Sequence, residues 1–116
     1  MNKYNFNSKT AIITGGAQGF GLDIAKNFLK FGAAKVIIWD IDEAELIKAS
    51  KEIDNSKLLY QVVDVSNFEK VREATGKILE SSNIDILVNN AGITGSTTEL
   101  WNYDVEEWNK IVAINL

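Results

Sequence analysis

Four short runs of apolar, β-branched residues, spaced along 116 residues, most constrain what this chain can fold into. They are Thr10 to Thr14, Val36 to Trp39, Leu58 to Val63 and Ile84 to Val88. None alternates with polar residues, so each reads as a strand buried on both faces. Helical patterns lie between them. The first carries Leu22, Ala25 and Leu29 with Ile24, Phe28 and Phe31 beside them, and Gly32 follows as a C-terminal cap. The next begin at Asp42, Ser66 and near Asp104, with Glu45, Glu69 and Glu107 three residues on, the spacing of a capping box or its aspartate variant. Strands alternating with helices imply a parallel sheet with right-handed crossovers. The expectation is an α/β, doubly wound, Rossmann-type sheet of four strands in the order 3-2-1-4.

The strand-to-helix turn after the first run reads Thr14-Gly15-Gly16-Ala17-Gln18-Gly19-Phe20-Gly21. A glycine can take positive φ in a tight turn and lets backbone N–H groups approach a pyrophosphate without a Cβ in the way. The helix N-terminus adds partial positive charge. Gly21 is expected to let the helix pack closely on the sheet. The spacing Gly-x-x-x-Gly-x-Gly differs from the Gly-x-Gly-x-x-Gly of many dinucleotide sites. An ordinary turn is the alternative reading, and the loop's place in the fold favours phosphate binding. Asp40 closes the second strand, 19 residues after Gly21. A carboxylate there can accept hydrogen bonds from ribose hydroxyls and repels an added 2′-phosphate. No Arg or Lys lies between Ala17 and Gly21 or from Trp39 to Asp42, so NAD is expected over NADP.

Composition removes other chemistries. The chain has no Cys and no His, so disulfides, thiol catalysis, cysteine metal sites and the commonest general base are excluded. Residues 1–38 hold five Lys against one Asp, and residues 39–116 hold seven basic against fifteen acidic groups. No basic stripe forms, so nucleic acid is not an expected partner. No run of about 18 apolar residues spans a membrane, and the polar first ten residues lack a signal-peptide core. A cytoplasmic location is the simplest expectation.

These residues, with three later segments, resemble the short-chain dehydrogenase/reductase family. The matching segments are the Thr-Gly-x-x-x-Gly-x-Gly loop, Asp64-Val65, Asn89-Asn90-Ala91-Gly92, and Asn115 within Val112 to Leu116. The resemblance covers essentially the whole chain. It implies that the backbone from Gly15 through Gly16, Ala17, Gln18, Gly19 and Phe20 to Gly21 holds the pyrophosphate. Asp40 and the backbone of Ile41 would lie at the adenosine ribose, and Asp64 and Val65 at the adenine. Asn90, Ala91 and Gly92 would line the cofactor's ribose path, with Asn89 fixing the end of the fourth strand. Asn115 would be the catalytic asparagine, supporting a proton relay. Trp108, Ile111 and Asn115 share a helix face, which turns Asn115 to the apolar side. Trp108 then reads as core and Trp101 as a loop residue.

The reaction implied is NAD-dependent hydride transfer between an alcohol and a ketone. The family's Tyr-x-x-x-Lys is not in this sequence: Tyr4 is followed four positions on by Ser8, Tyr60 by Asp64 and Tyr103 by Glu107. Residues 1–116 are therefore expected to be an NAD(P)-binding domain, incomplete at its C-terminus, that forms no NADH from alcohols by itself. A helix running uncapped to Leu116, and a fourth strand without its usual neighbour, support that expectation. A homo-oligomer acting on a small alcohol or ketone is expected of a longer enzyme. A non-catalytic nucleotide-binding module is the alternative; a methyltransferase of Rossmann type fits Asn89 to Gly92 and Asn115 less well.

Overall fold

The computed structural model describes residues 6–90. The elements run β1 (Thr10–Thr14), α1 (Gly19–Lys30), β2 (Lys35–Asp40), α2 (Glu43–Ile53), β3 (Leu58–Val62), α3 (Phe68–Leu79) and β4 (Ile86–Val88). The four strands form one parallel sheet in the order β3-β2-β1-β4. The chain thus winds outward from β1 to β3, then returns to the other side of β1 for β4. Both faces are covered. Ile13, Ile38, Leu46 and Ala49 form a core beneath α1 and α2. Ile12, Ile37, Trp39, Val71 and Ile78 form another beneath α3. Alternate residues of β1 and β2 feed opposite cores, which is why those runs contain no polar partner positions.

The helix ends explain where each crossover begins. After α1, Gly32 takes φ +95°. Its N–H donates to Leu29 O (3.2 Å) and that of Ala33 to Phe28 O (3.0 Å), the paired bonds of a Schellman motif. Gly32 is the cap expected, lying one residue past the C-cap Phe31. At α2, Asp42 is the N-cap and accepts from Glu45 N–H at 3.2 Å. The reciprocal half of the box is supplied from upstream: the N–H of Asp42 donates to Asp40 Oδ1 (3.2 Å).

Three expectations need correction. Helix α3 is capped by Asn67, whose side chain accepts from Lys70 N–H at 3.3 Å, and not by Ser66. Asp64 Oδ1 takes both the N–H (2.9 Å) and the hydroxyl (2.6 Å) of Ser66, and Asp64 O accepts from Asn67 N–H. This Asx-type turn occupies the Ser66 hydroxyl and starts the helix one residue later. Strand β4 begins at Ile86, two residues after the apolar run starts; Ile84 is buried in the α3-side core, but ahead of the strand. Strand β3 is not buried on both faces: Leu59, Tyr60 and Val62 are exposed, because β3 is a sheet edge among the described residues.

Replacing the true cap should cost more than replacing the apparent one. Asn67→Ala is expected to lower unfolding free energy by about 1 kcal/mol in urea titrations. Ser66→Ala, which leaves the Asn67 cap in place, should cost less. The reverse ranking would restore Ser66 as the cap.

Candidate functional site

Parallel strands bring their carboxyl ends to one edge of the sheet, and the sequence-derived residues follow those ends. Gly15 to Gly21 continue β1, Asp40 and Ile41 end β2, Asp64 and Val65 follow β3, and Asn89 and Asn90 follow β4. The reversal of winding falls between β1 and β4, where ligands of open α/β sheets bind. Ala91, Gly92 and Asn115, with Trp101 and Trp108, lie outside the described residues.

The glycine turn is anchored on both sides. Toward β2, Gly16 N–H donates to Trp39 O at 3.1 Å. A Cβ on Gly16 would sit 2.6 Å from Ile38 Cβ, so glycine is required for this contact. Toward β4, Asn90 N–H donates to Thr14 Oγ1 at 2.8 Å, and Asn90 Nδ2 donates to Gly15 O at 3.3 Å. The Thr14 hydroxyl in turn reaches Val88 O (3.4 Å) and Asn89 Oδ1 (3.3 Å). Asn89, expected to fix the end of the fourth strand, accepts from Thr14 at the end of β1. The Asn90 side-chain amide holds the turn closed.

The three further glycines have distinct roles. Gly15 and Gly19 take φ +63° and +61°, in the left-handed region that disfavours other residues. A Cβ on Gly21 would run into Gly15 O and come within 2.8 Å of Asn90 Nδ2. Helix α1 thus packs closely at Gly21, but against the turn's own backbone and the Asn90 amide, where packing on the sheet was expected. A Cβ on Gly19, by contrast, would meet nothing within 4 Å. Gly19 faces open space at the helix start.

The start of α1 differs from the other helix starts. Helices α2 and α3 have side-chain caps and acidic residues in their first turns. The N-cap of α1, Gln18, makes no side-chain cap hydrogen bond, and the first turn has no acidic residue. Its leading N–H groups and the positive end of its dipole therefore remain available to an anion. Phe20 beside it is 81% exposed. The residues present fit a dinucleotide pyrophosphate.

The acidic side chains flank this opening. Asp40 is half-buried and spends Oδ1 on Asp42 N–H. Ile41, next to it, is exposed and Val65 is buried. The hydroxyl and then the N–H of Ser66 hold the Asp64 carboxyl below its ordinary value. Asp64 is thus an anion at neutral pH, and the turn's contribution to stability persists until acid protonates it. Two features of this edge escaped the sequence reading. Trp39, fully buried, donates Nε1–H to Gln61 Oε1 at 2.7 Å, and Gln61 Nε2 donates to Ala74 O at 3.2 Å. Trp39 and Gln61 are direct partners in the β2–β3 register. A lone Gln in an apolar strand was the available signal.

Comparison with known proteins decides the family. The short chain dehydrogenase family profile matches residues 9–116. The chain belongs to the short chain dehydrogenase family. It is 40% identical over 113 residues to the 3-oxoacyl-[acyl-carrier-protein] reductase FabG of Chlamydia muridarum, covering 94% of this chain and 45% of that protein. It is 34% identical over 109 residues to the 2-dehydro-3-deoxy-L-rhamnonate dehydrogenase (NAD(+)) of a Sphingomonas species, covering 93% of this chain and 43% of the relative. The crystal structure of gox2181 superposes with a TM-score of 0.71 at 38% identity, covering 77% of this chain and 35% of the other. The chain thus spans less than half the length of these relatives. Fold and family together make it a Rossmann-type member of an NAD(P)-binding oxidoreductase superfamily. No helix of the described residues is long and apolar enough to cross a membrane.

The glycine geometry separates folding from binding. Gly21→Ala should destabilise the chain by about 1–3 kcal/mol, because the new methyl meets a backbone carbonyl that cannot rotate aside. Gly19→Ala, strained at φ +61° but clashing with nothing, should cost about 1–2 kcal/mol and keep the helical circular dichroism, yet weaken nucleotide binding tenfold or more. Unchanged affinity in Gly19→Ala would reduce the loop to a turn.

Proposed function

We propose that residues 1–116 form the nucleotide-binding portion of an NAD-dependent oxidoreductase that interconverts an alcohol and a ketone. The observation carrying this reading is the uncapped start of α1 beside a half-buried Asp40 at the end of β2. When bound, the nicotinamide would accept or deliver a hydride. The chain's own residues bind and orient it. The backbone of Gly15 to Gly21 holds the pyrophosphate through N–H groups. Asp40, with one oxygen spent on Asp42 N–H, accepts from the ribose hydroxyls with the other, and the backbone of Ile41 lies beside it. Asp64 and Val65 bound the adenine, the anionic Asp64 accepting from its exocyclic amine. Asn90, Ala91 and Gly92 line the cofactor's ribose path, and Asn115 supports the proton relay. NAD specificity is named for the Sphingomonas relative, which is consistent with this reading.

Preference for NAD follows from charge. Asp40 repels a 2′-phosphate, and neither the glycine loop nor residues 39–42 offer a cation to receive one. Such like-charge juxtaposition disfavours the phosphorylated cofactor. Calorimetry should therefore show tighter binding of NAD(H) than of NADP(H), and Asp40→Ala should narrow the gap. Tighter NADP(H) binding by the unaltered chain would overturn the assignment of Asp40.

A further inference from the structure

The seven large apolar side chains exposed among the described residues are not evenly distributed. Three of them, Leu59, Tyr60 and Val62, lie on the five-residue strand β3, at 45%, 36% and 47% exposure. This strand is an edge of the sheet among the described residues, and it has no proline or bulge that would turn partners away. The β2 ladder uses alternate β3 residues: Lys57 O accepts from Val36 N–H, and Val63 N–H donates to Asp40 O. By the alternation of a parallel ladder, Leu59 and Gln61 complete that set. The C=O of Leu58 and both backbone groups of Tyr60 and Val62 therefore point away from β2. Leu58 N–H is spent on Asn55 O.

Charge is polarised along the same edge. Lys35, Lys57 and Lys77 lie at its amino end, where Lys35 and Lys77 line a groove with Tyr60. Asp54 and Glu80 offset these in part. The carboxyl end has Asp40, Asp42, Glu43 and Asp64, with no Lys or Arg from residue 39 to 47 or from 58 to 69. A second copy laid antiparallel sets the basic end of each edge against the acidic end of the other. A parallel partner would oppose like charges.

We propose that β3 pairs with β3 of a second copy of this chain, antiparallel about a twofold axis at Tyr60, joining the four described strands of each copy into one continuous sheet. Tyr60 then faces its own copy as a hydrogen-bonded pair, giving two N–H to C=O bonds. Val62 N–H donates to Leu58 O of the partner in both directions, giving two more. Leu58 faces Val62 beside the Tyr60 pair, so apolar side chains meet on one face, while Leu59 faces Gln61 on the other. The arrangement is isologous, as twofold interfaces must be. A strand pair with its flanking groove buries less than the ~1,200 Å² of a standard interface, so association is concentration-dependent.

The absence of cysteine in the chain makes the register directly testable. Residues facing each other in a hydrogen-bonded antiparallel pair lie roughly 5.5 Å apart at Cα, within disulfide range. Tyr60→Cys should therefore form a disulfide-linked dimer under mild oxidation, while Ile47→Cys, exposed on α2, should not. Sedimentation equilibrium should show a monomer–dimer equilibrium for the unaltered chain. Val62→Lys should shift it to monomer, and Leu79→Lys, exposed on α3, should leave it in place. A monomer at every concentration, a dimer indifferent to Val62→Lys, or equal cross-linking of Tyr60→Cys and Ile47→Cys would each overturn the proposal.

Discussion

The turn that ends β1 is the point on which the candidate site depends. It is held from two strands at once. Gly16 binds the backbone of Trp39 on β2, while Asn90 binds Thr14 and Gly15 from the end of β4. Each hydrogen bond contributes only about 1 kcal/mol net. Their consequence is geometric: the reversal of winding between β1 and β4 is tied shut below the start of α1. With Gly21 seated against Gly15 O, the helix cannot move relative to the turn without breaking these contacts. The free N–H groups of α1 are thereby aimed at a fixed place above the sheet.

Contrast among the three helices gives that place its chemistry. Helices α2 and α3 neutralise their N-termini locally, through Asp42 with Glu43 and Glu45, and through Asn67 with Glu69. Helix α1 does neither. An uncapped start normally sacrifices about 1 kcal/mol of stability. Here the loss coincides with four turn glycines, Gly15 and Gly19 at positive φ and Gly16 and Gly21 in close contact, and with an acidic strand end nearby. On the proposed function a dinucleotide would recover that loss on binding, its pyrophosphate supplying the missing acceptors and its ribose the donors for Asp40.

Much of this was legible in sequence because it depends on residue type at fixed spacing. The strand order, the Gly32 cap, the Asp42 cap and the glycine turn all follow from local rules. What escaped depends on competition between neighbours. Ser66 and Asn67 are both good caps, and only the capture of Ser66 by Asp64 selects the second. An apolar run does not reveal whether a strand is central or at an edge, so the exposure of β3 was missed. The Trp39–Gln61 bond needed the inter-strand register. That the Asn90 amide closes the glycine turn, besides the cofactor-path place its family likeness implies, needed the fold to bring the end of β4 to Gly15.

The central claim, that the start of α1 is the anion site of this fold, is tested most directly by amide-resolved NMR during titration with ADP-ribose. The largest shifts should fall on Gly16 to Gly21, with smaller ones at Asp40, Ile41, Asp64 and Val65. The capped starts of α2 and α3, at residues 43–45 and 68–70, should be the least affected of the helix N-termini. Largest shifts at those capped starts, or in the groove lined by Lys35 and Lys77, would contradict the account.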